Sequence, residues 1–98
     1  MTLFETLTAI KDENLDQRQL ENYRDKLLML ASELELECGE LKKKEAIFGL
    51  VKNEETESAL KRKWKGSEDG IRLILVKSYI RAVSKACESL RQRIYSKL

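Results

Sequence analysis

Four cations and the only tryptophan of the chain occupy five consecutive positions: Lys61, Arg62, Lys63, Trp64 and Lys65. Lysine and arginine neutralise phosphates, and an aromatic ring can stack on an exposed base, a contact worth about 1–3 kcal/mol. Consecutive residues of a helix point in different directions, so these cations cannot all face one acidic partner helix. Some of them must face solvent, where they suit a single-stranded nucleic acid.

A second basic run, Lys42-Lys43-Lys44, precedes the first by about twenty residues. If the chain turns at 53–56, both runs lie near the same end of a helical hairpin. The sequence therefore predicts one nucleic-acid-binding surface formed by Lys42, Lys43, Lys44, Lys61, Arg62, Lys63, Trp64 and Lys65.

Other interpretations of these residues stay open. Trp64 continues the apolar face of Leu60, which favours a place in the core or in a subunit contact, and the lysines could form an ordinary solvated surface. A stripe at steps of four consists of Lys77, Arg81 and Lys85. It is a solvated helix face, a set of partners for Glu33, Glu37 and Glu40 of a neighbouring helix, or an extension of the phosphate track.

Catalytic chemistry has little support in the sequence. The chain has no histidine, so neither cysteine has an imidazole base to activate it. Cys38 and Cys87 lie in apolar seams and are expected to act as small core residues. A group of carboxylates lacks the Glu-x-x-His partners of a di-metal site and is typical of a surface face: Glu33, Glu35, Glu37 and Glu40. We expect a non-enzymatic protein without metal or cofactor.

The elements that position the basic runs are predicted to be helices. The 98 residues include no proline and only four glycines, while Glu, Lys, Leu and Arg dominate, as is typical of all-α proteins. Helices are predicted at about 2–11, 15–52 and 57–97. Thr2 and Glu5 form a capping box for the first, Asp12 or Asn14 caps the second, and Asn53 or Thr56 caps the third.

The two long helices are each expected to bury one apolar seam. Antiparallel pairing about a turn at 53–56 brings together Leu27 and Val83, Leu30 and Ile80, Leu34 and Val76, and Cys38 and Leu73. A second apolar flank on the last helix requires cover from a third helix or another subunit and comprises Ile71, Ile74, Leu75, Tyr79, Ala82 and Ala86.

The course of the third helix is less determined. Gly66 could end one helix and Ser67 could cap a new one, with Glu68 and Asp69 favouring its start. One bent helix is the favoured interpretation. The predicted fold is thus one all-α domain over 1–98, an oligomeric three-helix arrangement with a long, coiled-coil-like antiparallel hairpin and a short N-terminal helix.

Charge is divided unequally along the chain. Residues 1–55 carry eight Lys/Arg against thirteen Asp/Glu, net −5, and residues 56–98 carry eleven against four, net +7. Complementary pairing of an acidic helix with a basic one accounts for part of this division. The composition leaves no membrane span, the N-terminus resembles no export signal, and two distant cysteines suit a reducing compartment, so a cytoplasmic location is expected.

The order of these features resembles a known family. An acidic long helix ends in the lysine run at 42–44, a polar break follows at 52–57, and a basic helix around Trp64 leads into an apolar repeat over 73–94. This layout is similar to that of the small helical phage recombination-mediator proteins of the UvsY type. The resemblance implies an oligomer that binds single-stranded DNA and assists recombination or replication.

Two other functions are compatible with the sequence. The chain could be a protein-interaction module, such as a phage-encoded inhibitor or adaptor, whose charged helical surface docks on a partner protein. It could also be a purely structural coiled-coil subunit. The predicted partners are therefore further copies of the chain, single-stranded DNA or RNA, or a partner protein, and not a membrane.

Overall fold

A computed structural model describes residues 2–51 and 56–96, with the side chain of Val51 excepted. It contains four helices: α1 (Leu3–Ala9), α2 (Gln17–Val51), α3 (Glu57–Gly66) and α4 (Glu68–Ser96). No strand occurs in the described ranges, and the prediction of an all-α fold is confirmed. The number of helices differs from the predicted three because the predicted helix over 57–97 is divided in two. The turn predicted at 53–56 lies mostly outside the described residues.

The division falls at Ser67, so the prediction of one bent helix over 57–97 is wrong and its alternative is confirmed. The Ser67 backbone is extended, with ψ at 160°. Its hydroxyl donates a hydrogen bond to the Trp64 carbonyl oxygen at 2.5 Å and accepts one from the Gly70 N–H at 3.1 Å. Ser67 therefore ends α3 and begins α4 with the same side chain.

Gly70 allows the two helices to meet this closely. A Cβ atom added at Gly70 would overlap the carbonyl oxygen of Trp64. Because glycine has no Cβ, the first turn of α4 can lie directly against the last turn of α3. The corner between the two helices thus depends on Ser67 for its hydrogen bonds and on Gly70 for its space.

The other helix starts show which predicted caps form. The Thr2 and Thr56 hydroxyls each accept the N–H three residues on, from Glu5 and Ala59, both at 3.2 Å. Asn53 lies outside the described residues. The cap predicted for α2 at Asp12 or Asn14 is wrong, because Asp16 makes it in a reciprocal capping box with Gln19, at 2.8 and 3.0 Å.

The chain forms two compact units. The terminal unit comprises Met1–Glu33 and Ile80–Leu98, and the central unit comprises Leu34–Tyr79. In the terminal unit, the Arg93 guanidinium donates hydrogen bonds to the carbonyl oxygens of Ile10 and Asp12, at 2.5 and 2.6 Å, and so joins α4 to the end of α1. The core of this unit consists of Thr6, Leu15, Leu20, Leu27, Val83, Ala86, Leu90 and Ile94.

In the central unit, α2 pairs antiparallel with α4, which confirms the predicted helical hairpin. Arg72 holds Glu37 through two hydrogen bonds of 2.6 and 2.8 Å, and Lys44 lies 3.9 Å from Asp69. The first pair is one residue away from the predicted neighbours Cys38 and Leu73, both of which are buried. The core of the unit consists of Cys38, Leu41, Trp64, Leu73 and Val76.

The second apolar flank of the last helix is partly exposed. In the central unit its members Ile71, Ile74 and Leu75 are 42–53% exposed. The expectation that a further subunit covers them stays a prediction. Within the described residues, no helix is both long and apolar enough to cross a membrane.

Candidate nucleic-acid interface

The basic run of α3 lies on a short helix that is capped at both ends. Thr56 caps its start and Ser67 its end. Four of the five predicted site residues in this run are exposed, and the fifth, Trp64, is buried. The exposed members are Lys61, Arg62, Lys63 and Lys65.

Trp64 occupies the core of the central unit. It is only 7% exposed, and its ring lies 5.7 Å from that of Phe48, tilted by 53°. Such a tilted aromatic pair is favourable beyond the area it buries. The indole therefore anchors α3 to α2 through its ring contact with Phe48, as the core interpretation has it. The lysines beside it remain the groups that could meet a phosphate.

The lysine run of α2 lies close to this anchor. Lys44 precedes Phe48 by one helical turn, and its amine lies 3.9 Å from the Asp69 carboxylate. Lys42 and Lys43 are also exposed. The structure thus places the α2 run beside the helix pair that Phe48 and Trp64 join, in the same unit as the α3 run.

Predicted site lysines of both basic runs take part in exposed ion pairs. Lys44 pairs with Asp69, and Lys61 lies 3.6 Å from Glu57, one turn earlier on α3. All four side chains are about half exposed or more. Ion pairs of this kind contribute little to stability, typically about 0.2–1 kcal/mol. A phosphate can therefore compete for either lysine at small cost.

A half-open groove of about 760 Å³ lies beside the Trp64 anchor, between α2, α3 and the start of α4. Its apolar lining includes Phe48, Leu60, Leu73 and Ile74, and its charged lining comes from all three helices. The charged residues are Glu45, Glu57, Lys61, Lys65 and Lys77.

Lys77 lines the same groove as Lys61 and Lys65. From the sequence, Lys77 belonged only to a stripe along the last helix, and Glu45 was not singled out. The corner at Ser67 makes this grouping possible. The chain changes direction there, so residues of α3 and residues of α4 can line the same groove. In the sequence, this grouping was indicated only by the alternative prediction of a helix break after Gly66.

Away from the groove, ion pairing and burial shift the pKa values of side chains. Hydrogen bonds from Arg72 lower the pKa of the Glu37 carboxyl. Partial desolvation raises this pKa, and the positive charge of Arg72 lowers it further. Burial raises the pKa of the Cys87 thiol. Both cysteines are free thiols, and among the described residues no three His, Cys, Asp or Glu side chains are grouped as metal ligands would be.

Comparison of the chain with protein-family models, with curated proteins and with solved structures found no match.

Proposed function

We propose that this protein is a non-enzymatic, oligomeric helical protein that binds single-stranded nucleic acid through the basic surface of its central unit. Its predicted role is that of an accessory to phage recombination or replication. The observation that supports the proposal best is the exposure of four cations on the ten-residue helix α3. Caps at Thr56 and Ser67 and the buried Trp64 fix this helix, so the backbone that carries the four cations is ordered before a ligand arrives.

The basic run divides its roles between its residues. Trp64 is buried and attaches α3 to α2, while the cations on either side of it point outward. The aromatic residue therefore serves the core, and the four cations next to it in the sequence face solvent. Phosphate neutralisation is assigned to the lysines and Arg62, and the lysine run of α2 extends the surface.

The test is a titration of a short, labelled single strand by fluorescence anisotropy. We expect binding that weakens steeply between about 50 and 200 mM salt. Replacing Arg62, Lys63 and Lys65 together by glutamine should reduce affinity at least tenfold. Each phosphate contacted on a single strand contributes about 0.7 to the logarithmic salt slope, so the slope should fall by about 2.

The control is a variant with the same change in net charge. Lys11, Arg18 and Lys26 are exposed cations of the terminal unit, and their replacement by glutamine also removes three positive charges. We expect this variant to bind almost as the wild type does. Equal losses in the two variants would show a nonspecific charge effect, and no binding of any strand at micromolar protein would refute the proposal.

Exposed apolar side chains of the central unit favour a second candidate function, that of a protein-interaction module such as an inhibitor or adaptor. They also support self-association. Apolar residues spaced along one helix face are typical of contacts between helices of different chains. The most exposed members in this unit are Leu36, Ile47, Leu50, Ile71 and Ile74.

Mass measurement in solution, with and without a short single strand, separates these possibilities. Under the first proposal we expect an oligomer whose mass increases by that of the bound strand. An oligomer or monomer that binds no strand favours the interaction module. A cytoplasmic location belongs to the same proposal, since both cysteines are free thiols, as is usual in reducing compartments.

A further inference from the structure

We infer that the groove of the central unit receives an unstacked base of the single strand, while the lysines along its edge bind the flanking phosphates. This inference rests on the proposed function and assigns a second part of the same surface to the ligand. It concerns the groove between α2, α3 and the start of α4, which adds an apolar surface to the exposed cations of α3.

The groove has room for a nucleobase, and its lining suits one. Its volume of about 760 Å³ lies within the range of small-molecule pockets, about 300–1,000 Å³. The lining includes the two aromatic rings Phe48 and Trp64 and the aliphatic residues Leu60 and Ile74. Ile74 is 53% exposed, so the groove presents apolar surface that a planar base could cover. A base paired inside a duplex cannot enter, and the groove would thereby select single strands.

The charges of the groove match both parts of a nucleotide. Lys61, Lys65 and Lys77 supply cations for the phosphates on either side of the inserted base. Glu45 and Glu57 supply carboxylates, which can accept hydrogen bonds from the amino groups of cytosine, adenine or guanine. Thymine has no exocyclic amino group. The lining therefore predicts a preference for amino-bearing bases over thymine.

Three labelled oligonucleotides of equal length test the inference at one salt concentration: oligodeoxycytidine, oligothymidine and an abasic strand with the same number of phosphates. Trp64 is the only tryptophan and lines the groove, so its fluorescence reports occupation directly. We expect the abasic strand to bind at least about tenfold more weakly than oligodeoxycytidine, and oligothymidine to fall between them. Only the strands that carry bases should change the tryptophan emission.

A matched pair of variants locates the effect. Gly49 lines the groove, and a Cβ added there meets nothing within 4 Å, so Gly49→Leu should take up part of the space for the base without a clash at its Cβ. Gly39 lies on the same helix, is equally unobstructed, and is not among the groove residues. We expect Gly49→Leu to reduce oligodeoxycytidine binding to the level of the abasic strand. Gly39→Leu should bind as the wild type does.

The possible failures are distinguishable. If the abasic strand binds as tightly as oligodeoxycytidine, the groove inference is overturned while the basic surface stands. Equal affinity for oligothymidine and oligodeoxycytidine overturns the role of Glu45 and Glu57. If none of the three strands binds, the proposed function itself fails.

Discussion

The terminal and central units use their apolar residues differently. Five of the six largest fully buried side chains belong to the terminal unit, namely Thr6, Leu20, Leu27, Val83 and Leu90, and only Val76 belongs to the central unit. Among the described residues, the central unit exposes six large apolar side chains and the terminal unit four, and the central unit also exposes the four cations of α3. Burial stabilises a fold, whereas exposed apolar and basic groups are available to a ligand. The comparison indicates that the terminal unit holds more of the fully buried core. The binding surface that we propose lies in the central unit.

The largest expected effect comes from truncating a buried leucine of the terminal unit. Leu27 is fully buried, so Leu27→Ala should lower the free energy of unfolding by about 3–4 kcal/mol, measured by urea denaturation. The control, Leu36→Ala, lies on the same helix in the central unit at 72% exposure and should change it by less than about 0.5 kcal/mol. Similar losses in both variants would contradict the assignment.

A second test concerns the corner of the central unit. Gly70→Ala places a Cβ against the Trp64 carbonyl oxygen, and the resulting shift should cost about 1–3 kcal/mol. Gly39→Ala meets open space inside a helix and should stabilise the protein by about 0.5–1 kcal/mol. Thermal unfolding of both variants should give changes of opposite sign. A neutral Gly70→Ala would mean that α3 and α4 can separate without loss.

Arg93 tests how the terminal unit holds its short first helix. Arg93→Gln removes charge-assisted hydrogen bonds to two backbone carbonyls and should cost about 1–2 kcal/mol. Arg91 lies on the same helix in an exposed pair with Glu88, so Arg91→Gln should cost less than about 0.5 kcal/mol. Hydrogen exchange should show faster opening of α1 in the Arg93 variant alone. Equal exchange in both variants would show that the contact does not hold α1.

The smallest expected effect is a pH dependence in the central unit. Because Arg72 lowers the pKa of folded Glu37, this pair stabilises the fold above the unfolded pKa of about 4.3 and loses its effect as pH falls through the folded value. Glu37→Gln should therefore cost roughly 0.5 kcal/mol at neutral pH and almost nothing once the pH is below the folded pKa of Glu37. Arg72→Gln should show the same pH window in urea denaturation. A cost that persists at low pH would indicate a packing effect instead.

Periodicity and capping chemistry predicted most of the helical elements. The steps of three and four along α2 and α4 identified the seam that contains Leu20, Leu27, Leu73 and Val83, because helix geometry alone places such residues on one face. Thr6 was missed, since a buried threonine that hydrogen-bonds to the Thr2 carbonyl looks polar in a pattern. Asp16 was missed because Asp12 and Asn14, nearby, are equally good capping residues in sequence.

The candidate site was predictable only in part. The cations of α3 could be identified from their spacing, since adjacent helical positions cannot all be buried. The groove could not, because it depends on the corner at Ser67, and a pattern cannot decide between a bent helix and a broken one when glycine and serine permit both. The grouping of Lys77 with Lys61 and Lys65 follows from that corner.

The corner between α3 and α4 also leaves a signature in the sequence. Trp64, Ser67 and Gly70 are spaced by three residues each: the first supplies the accepting carbonyl and the anchor, the second the double cap, and the third the missing Cβ. A substitution of Trp64 removes the apolar anchor, one of Ser67 removes the two cap hydrogen bonds, and one of Gly70 removes the space between the helices. The string Trp-x-x-Ser-x-x-Gly is therefore a compact search pattern by which the same helix junction can be recognised in the sequences of other chains.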